Sequence, residues 1–174
     1  MTTKQKSSLS RIAKEIKLLV FDFDGVFTDN QVLVLQDGTE GAFCNRSDGL
    51  GIEMVKKAGL KILVISKQIN PVVRARCRKL NIPCLQACDD KSEALQAAAK
   101  KMGIPLRQVA YMGNDINDIE CLEIVGLSSC VNDSHPKVLA ISLYTTKANG
   151  GYGAVRELCD FILMQKKIAK SLWK

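Results

Sequence analysis

The chain has 174 residues, 47 % apolar and 25 % charged, which suits one α/β domain with its own core and excludes a disordered or collagen-like polypeptide. Its formal charge of +7 could draw anions or nucleic acid, but the excess gathers at the two ends (Lys4, Lys6, Arg11, Lys14 and Lys17; Lys166, Lys167, Lys170 and Lys174) with no basic stripe interleaved with aromatics, so solvated terminal helices are expected and no nucleic-acid interface. No apolar run reaches membrane-spanning length, and the seven cysteines, an odd number with no C-x-x-C pair and no leader-like segment ahead of them, point to reduced thiols in a cytoplasmic protein and not to disulfides or zinc.

The first strand is expected at Ile16 to Phe21, an apolar run broken only by Lys17, and it ends on Asp22-Phe23-Asp24-Gly25. Asn30 to Cys44 follows, with β-prone residues on both sides of Asp37-Gly38, which is a hairpin signal. Asp48 is a candidate cap for a helix to Ala58, stopped by Gly59. Leu60 to Ile65 reads as a strand ending at Ser66. Asn70-Pro71, a cap followed by proline at the first helical position, opens a helix to about Leu80. Ile82 to Leu85 is a short strand, and Asp89 or Asp90 opens an alanine-rich helix ending at Gly103. Val109 to Met112 is a strand running into Gly113-Asn114-Asp115. Gly126 to Val131 and Leu143 to Thr145 are further strands, and a last helix starts near Ala154. Continuous apolar strands imply burial on both faces. The β-α-β alternation therefore predicts a Rossmann-like, doubly wound, mainly parallel α/β sheet with a hairpin flap and no cap domain. One domain over 1–174 is expected, with a core at about 16–164 and basic terminal extensions.

Ligands of open α/β sheets bind at the carboxyl ends of the strands, and several such positions here carry reactive groups. Asp22 and Asp24 end the first strand, Ser66 the second long one, Lys91 starts the next helix, and Asn114, Asp115, Asn117 and Asp118 follow the third. Each alone has a bland reading, as a turn, a cap or a surface lysine. Together they suit phosphoryl transfer from an ester. One carboxylate can attack phosphorus while the other protonates the departing oxygen. A divalent cation must offset the repulsion between a carboxylate and a phosphate dianion, and Asp and Asn oxygens suit magnesium. Ser66 can donate to a phosphate oxygen, and Lys91 can neutralise developing charge.

The run Asp22-Phe23-Asp24-Gly25-Val26-Phe27-Thr28-Asp29, then Ser66, Asp90-Lys91 and Gly113-Asn114-Asp115-x-x-Asp118, resembles the ordered motifs of haloacid dehalogenase-like phosphatases. Within them it is most similar to the cap-less sugar-acid phosphatases, including the phosphatase-like domain joined to some acylneuraminate cytidylyltransferases. Ser47 to Ile52, Asp133 to Pro136 and Gly150 to Glu157 are typical of that group. The resemblance implies Asp22 as nucleophile, Asp24 as general acid and then base, and Asp118 as the residue that orients the site. It implies Mg2+ on Asp22, the Asp24 carbonyl and either Asn114 or Asp115. Ser66 and Lys91, with Lys67 beside Ser66, would bind phosphate. Arg46 and Arg156 are candidates for a substrate carboxylate. His135 before Pro136 reads as a cap.

The intervals between Asp24, Ser66 and Lys91 are too short for a cap, so other subunits must wall the site. The apolar Val32, Val34 and Phe43 of the hairpin predict a homotetramer with hairpins at its centre. Two functions compete: a phosphatase acting on a phosphorylated sugar acid, and a phosphatase-like assembly or regulatory module, which Asn114 and Lys67-Gln68 favour. A two-component receiver domain is excluded by the order of its motifs.

Overall fold

A computed structural model describes residues 3–168. Its main sheet comprises β1 (Leu18–Phe21), β4 (Lys61–Ile65), β5 (Cys84–Leu85), β6 (Val109–Gly113), β7 (Leu127–Cys130) and β8 (Tyr144–Thr145), while β2 (Leu33–Val34) and β3 (Glu40–Gly41) form a separate hairpin. The order is β5-β4-β1-β6-β7-β8, and every pairing in this sheet is parallel. The chain builds outward from β1 through β4 to β5, then returns to the other side of β1 through β6. That reversal opens a crevice at the carboxyl ends of the central strands.

Side chains alternate between two layers, as strand geometry dictates. Leu19, Phe21, Ile62, Val64, Ala110 and Met112 pack on one face with residues of α1 (Thr3–Glu15), α2 (Arg46–Lys57), α3 (Pro71–Leu80) and α7 (Ala154–Gln165). Leu18, Val20, Leu63, Ile65, Val109 and Tyr111 pack on the other with α4 (Lys91–Lys101), α5 (Ile119–Ile124) and α6 (Pro136–Ile141). The six-residue α5 and α6 are too short to show a helical period, so the sequence gives no sign of α5 and marks α6 only by its His135-Pro136 start.

Most punctuation falls where the residues put it. Asn70 caps α3 by accepting from the Val72 amide, with Pro71 at the first helical position. Asp90 caps α4 through the Glu93 amide, and His135 caps α6 through its Nδ1. Asp48 does not cap α2. Asn45 does, and Asp48, in the first turn, is drawn inward by the Arg156 amide of α7 at 2.9 Å. α1 exposes Arg11 and Lys14, as a terminal helix should, but it also buries Leu9 and Ala13 in the core. Lys170 and Lys174 lie outside the described residues. No helix among those residues is long and apolar enough to cross a membrane.

Candidate active site

The loop after β1 begins the site. The Asp22 amide bonds the Met112 carbonyl at 2.9 Å and carries the β1–β6 pairing one residue beyond the strand. Phe23 then turns into the core, where it stacks on Phe27, which meets Phe21 edge-on. These buried rings anchor a tight turn that leaves Asp22 and Asp24 at the crevice. Ser66 follows β4, buried, with its amide on the Leu85 carbonyl and its hydroxyl accepting from the Gln68 amide. Lys91 comes in from the first turn of α4.

Lys91 is 4 % exposed, which a lysine tolerates only if it is paired. Its Nζ lies 2.9 Å from Asp22 Oδ1 and 2.8 Å from Asp118 Oδ1. The flanking carboxylates raise the ammonium's pKa in spite of burial, so it stays charged. Burial, and then the charge of Asp118, push the Asp22 carboxyl up to about 7 against the pull of Lys91. Asp24 is half-buried and is raised chiefly by desolvation, with Lys91 lowering it and Glu40 of the hairpin raising it again. A carboxyl shifted upward in this way holds its proton more readily than a free one. Asp118, fully buried, accepts four hydrogen bonds: the Tyr111 hydroxyl and Lys91 on Oδ1, and the Asn114 and Asp115 amides on Oδ2.

Asn114 completes a corner of oxygens. The inward atom of its amide lies 3.2 Å from Asp22 Oδ2 and 3.1 Å from the Asp24 carbonyl. With nitrogen inward, the amide donates to both. With oxygen inward, three oxygens face one point without a proton between them. Oxygens on adjacent corners of a magnesium octahedron are about 3 Å apart, so this arrangement fits a small divalent cation. Among the described residues there is no group of three or more His, Cys, Asp and Glu suited to a metal; the corner instead combines one carboxylate, one main-chain carbonyl and one amide. Asp115 is exposed and spends its side chain on the Ile116 amide at 2.7 Å. Gly25 makes room for the corner: at φ +80°, a Cβ there would fall 2.0 Å from the Asn114 amide nitrogen. The loop at Gly150 packs just as closely, since a Cβ on it would meet the Gly25 carbonyl, and the Gly151 amide donates to Val26. This glycine loop therefore buttresses the chain's own Asp22 turn.

A cavity of about 340 Å³ brings together Asp22, Asp24, Ser66, Lys67, Lys91, Asn114, Asp115 and Asn117; it also takes in Val32, Gln68 and Asn70, which the sequence had marked for other reasons, and Asn30 and Glu40 of the hairpin segment, which it had not singled out. Asn70 Nδ2 donates to Glu40 at 3.1 Å, tying the hairpin to the start of α3. Arg46 and Arg156 are not in this cavity. Arg46 lines a separate basic cleft with Lys56, Arg76 and Lys79. Arg156 Nε is taken by Asp160, one helical turn on, at 2.8 Å.

Comparison with known proteins agrees with this geometry. The family model described as haloacid dehalogenase-like hydrolase matches residues 79–158. The chain is 36 % identical over 153 residues to the 3-deoxy-D-manno-octulosonate 8-phosphate phosphatase of Escherichia coli K12, covering 87 % of this chain and 81 % of that protein. It is 34 % identical over 160 residues to N-acylneuraminate cytidylyltransferase A of Danio rerio, covering 90 % of this chain but only 37 % of that protein. The Moraxella catarrhalis 3-deoxy-D-manno-octulosonate 8-phosphate phosphatase, solved with magnesium, phosphate and a KDO molecule, superposes with a TM-score of 0.92 at 32 % identity, over 97 % of this chain and 99 % of that one. The chain thus belongs to the haloacid dehalogenase-like hydrolases and is one of their phosphatases.

Proposed function

We propose that the chain hydrolyses the phosphate monoester of a sugar acid, of the 3-deoxy-octulosonate 8-phosphate or nonulosonate 9-phosphate type, with Mg2+ and through an aspartyl-phosphate on Asp22. The observation that carries this reading is the division of Asp22 between two partners. Oδ2 belongs to the oxygen corner with the Asp24 carbonyl and Asn114, while Oδ1 meets Lys91 at 2.9 Å. Asp22, the Asp24 carbonyl and Asn114 would hold the magnesium, whose charge would offset the repulsion between carboxylate and phosphate.

An incoming phosphate would take over one N–H of Lys91 and accept from Ser66, freeing Asp22 Oδ1 to attack phosphorus in line with the leaving oxygen. Lys67, on the exposed rim of the same cavity, adds positive charge for the anion. Asp24, its carboxyl held above the usual range, gives its proton to the departing sugar hydroxyl. As a carboxylate it then takes a proton from the water that attacks the phosphorus of the aspartyl-phosphate, releasing inorganic phosphate and restoring Asp22. Asp118 fixes Lys91 and the Asn114 turn throughout.

The hairpin argues for assembly. Val32, Val34 and Phe43 are 54 %, 63 % and 78 % exposed, more apolar surface than a free two-stranded ribbon sustains. A homotetramer with hairpins at its centre would cover them, and a neighbour would wall each open site. Arg46 and Arg156, which do not line the cavity of their own Asp22, would serve a substrate carboxylate across such a contact. Seven unpaired thiols favour the cytoplasm.

A second reading, an assembly or regulatory module beside an acylneuraminate cytidylyltransferase, draws on the amide at Asn114 and on the match to the Danio rerio enzyme. Phosphate release from a panel of sugar-acid phosphates, with and without magnesium, separates the two. The phosphatase reading expects magnesium-dependent turnover of one class in the panel; no release from any member would support the module.

A further inference from the structure

The reaction proposed above uses Lys91 and Asp118, and behind them stands a group that it does not use. Tyr111 is the central residue of β6 and is wholly buried on the α4–α5 side of the sheet. A tyrosine hydroxyl so placed must find a partner, and this one donates to Asp118 Oδ1 at 2.7 Å. The same oxygen accepts from Lys91 at 2.8 Å, and Lys91 also bonds Asp22. The Ser129 hydroxyl of β7 holds the Tyr111 carbonyl at 2.7 Å, and Cys121 of α5 is buried in the same core layer as Tyr111.

Resting on the phosphatase reading, we propose that Tyr111 is a positioning residue: by donating to Asp118 it sets how the Lys91 ammonium is shared between Asp118 and Asp22. The balance is one of charge. Lys91 stands between two carboxylates at nearly equal distances, and only the one on the Asp118 side is further neutralised by a buried hydroxyl. Without that proton, Asp118 Oδ1 would keep a single donor and would draw the ammonium away from Asp22, where the phosphate must be met. Hydrogen bonds to charged groups in dry sites are the strong ones. Burial beside the charges of Asp118 and Asp22 keeps the Tyr111 hydroxyl protonated, so it is a permanent donor. Tyr111 has no place in the wall of the cavity and cannot touch substrate. Its effect must pass through Asp118.

The test is Tyr111→Phe in the full chain, a deletion of one oxygen, compared with Cys121→Ala, which removes one atom from the same buried layer. Thermal unfolding first establishes that both are folded. With 3-deoxy-D-manno-octulosonate 8-phosphate and magnesium, Tyr111→Phe should lower kcat about 10- to 100-fold and change KM less than about threefold, while Cys121→Ala should match wild type. In the magnesium-free protein, the Lys91 side-chain ammonium signal in proton–nitrogen spectra, assigned by its loss in Lys91→Arg, should shift in Tyr111→Phe and stay in place in Cys121→Ala. An unchanged kcat with an unmoved Lys91 signal would overturn the proposal, and so would equal losses in both variants, which would mark a packing role alone. A wild-type protein that releases no phosphate would refute the phosphatase reading, and the ammonium signal would then judge the Tyr111–Asp118–Lys91 link by itself.

Discussion

At the scale of single residues, Asn114 and Asp48 carry the sharpest expectations. If Asn114 is the third ligand, Asn114→Asp adds a charge to the corner and should lower the magnesium concentration for half-maximal phosphate release by about tenfold. Asp115→Ala should leave that concentration unchanged. A magnesium titration that moves with Asp115 and not with Asn114 would reverse the assignment. Asp48 is fully buried, with Oδ1 on the Arg156 amide and Oδ2 lacking a hydrogen-bond partner. Desolvation raises its carboxyl to about 6, against the Arg156 amide and the charges of Arg76 and Arg156. The folded state therefore binds this proton more tightly than the unfolded chain does, and stability falls as pH rises from about 4 to about 6. Denaturant melts of wild type and Asp48→Asn across that window should diverge by on the order of 2 kcal/mol, with wild type losing stability relative to the variant as pH rises; parallel curves would show that Asp48 pays no such penalty. Asp22, Asp24, Ser66 and Lys91 were legible in the sequence because strand ends expose chemistry. Asp48 was mistaken for a cap because the main-chain amide that holds it inward belongs to a helix more than a hundred positions away. Tyr111 was hidden inside an apolar strand, where its one signal was a hydroxyl in need of a partner.

At the scale of elements, periodicity located the long pieces. Buried strands and capped helices are local matters, so Asn70-Pro71 and Asp90 marked their helices. Other features were not local. The segment from Gly150 stood out in the sequence only as typical of the cap-less phosphatases, and no pattern shows that it packs on the Gly25 turn so tightly that a side chain there would strike main chain. The hairpin was legible from Asp37-Gly38, but its link to α3 through Glu40 and Asn70 was not, because no pattern joins residues on separate elements. Its exposed face makes a prediction of its own. Val32→Glu with Val34→Glu should leave the core unfolding transition in place, since both side chains are already in solvent, while lowering the mass seen by light scattering from that of a tetramer toward that of a monomer and weakening turnover together with it. A wild-type monomer with full turnover would remove the shared-site idea.

At the scale of the whole molecule, the fold brings four distant stretches of chain to one crevice and covers both faces of the sheet with helices. Its parallel strands all end at the same pole, and only a short hairpin overhangs it among the described residues. The site is therefore buried beneath and open above: Asp22, Asp118 and Lys91 are buried, while Lys67 and Asp115 stand on an exposed rim. Such a base suits one repeated chemistry on phosphate, with selectivity left to the walls. Everything rests on Asp22 as the group that attacks. Asp22→Asn keeps the size of the side chain and removes its nucleophile, so the most direct measurement is phosphate release by wild type and Asp22→Asn under saturating magnesium and the best substrate of the sugar-acid panel. The account predicts that the variant folds like wild type and falls by at least about 10³-fold in kcat, whereas near-normal turnover by Asp22→Asn would contradict it.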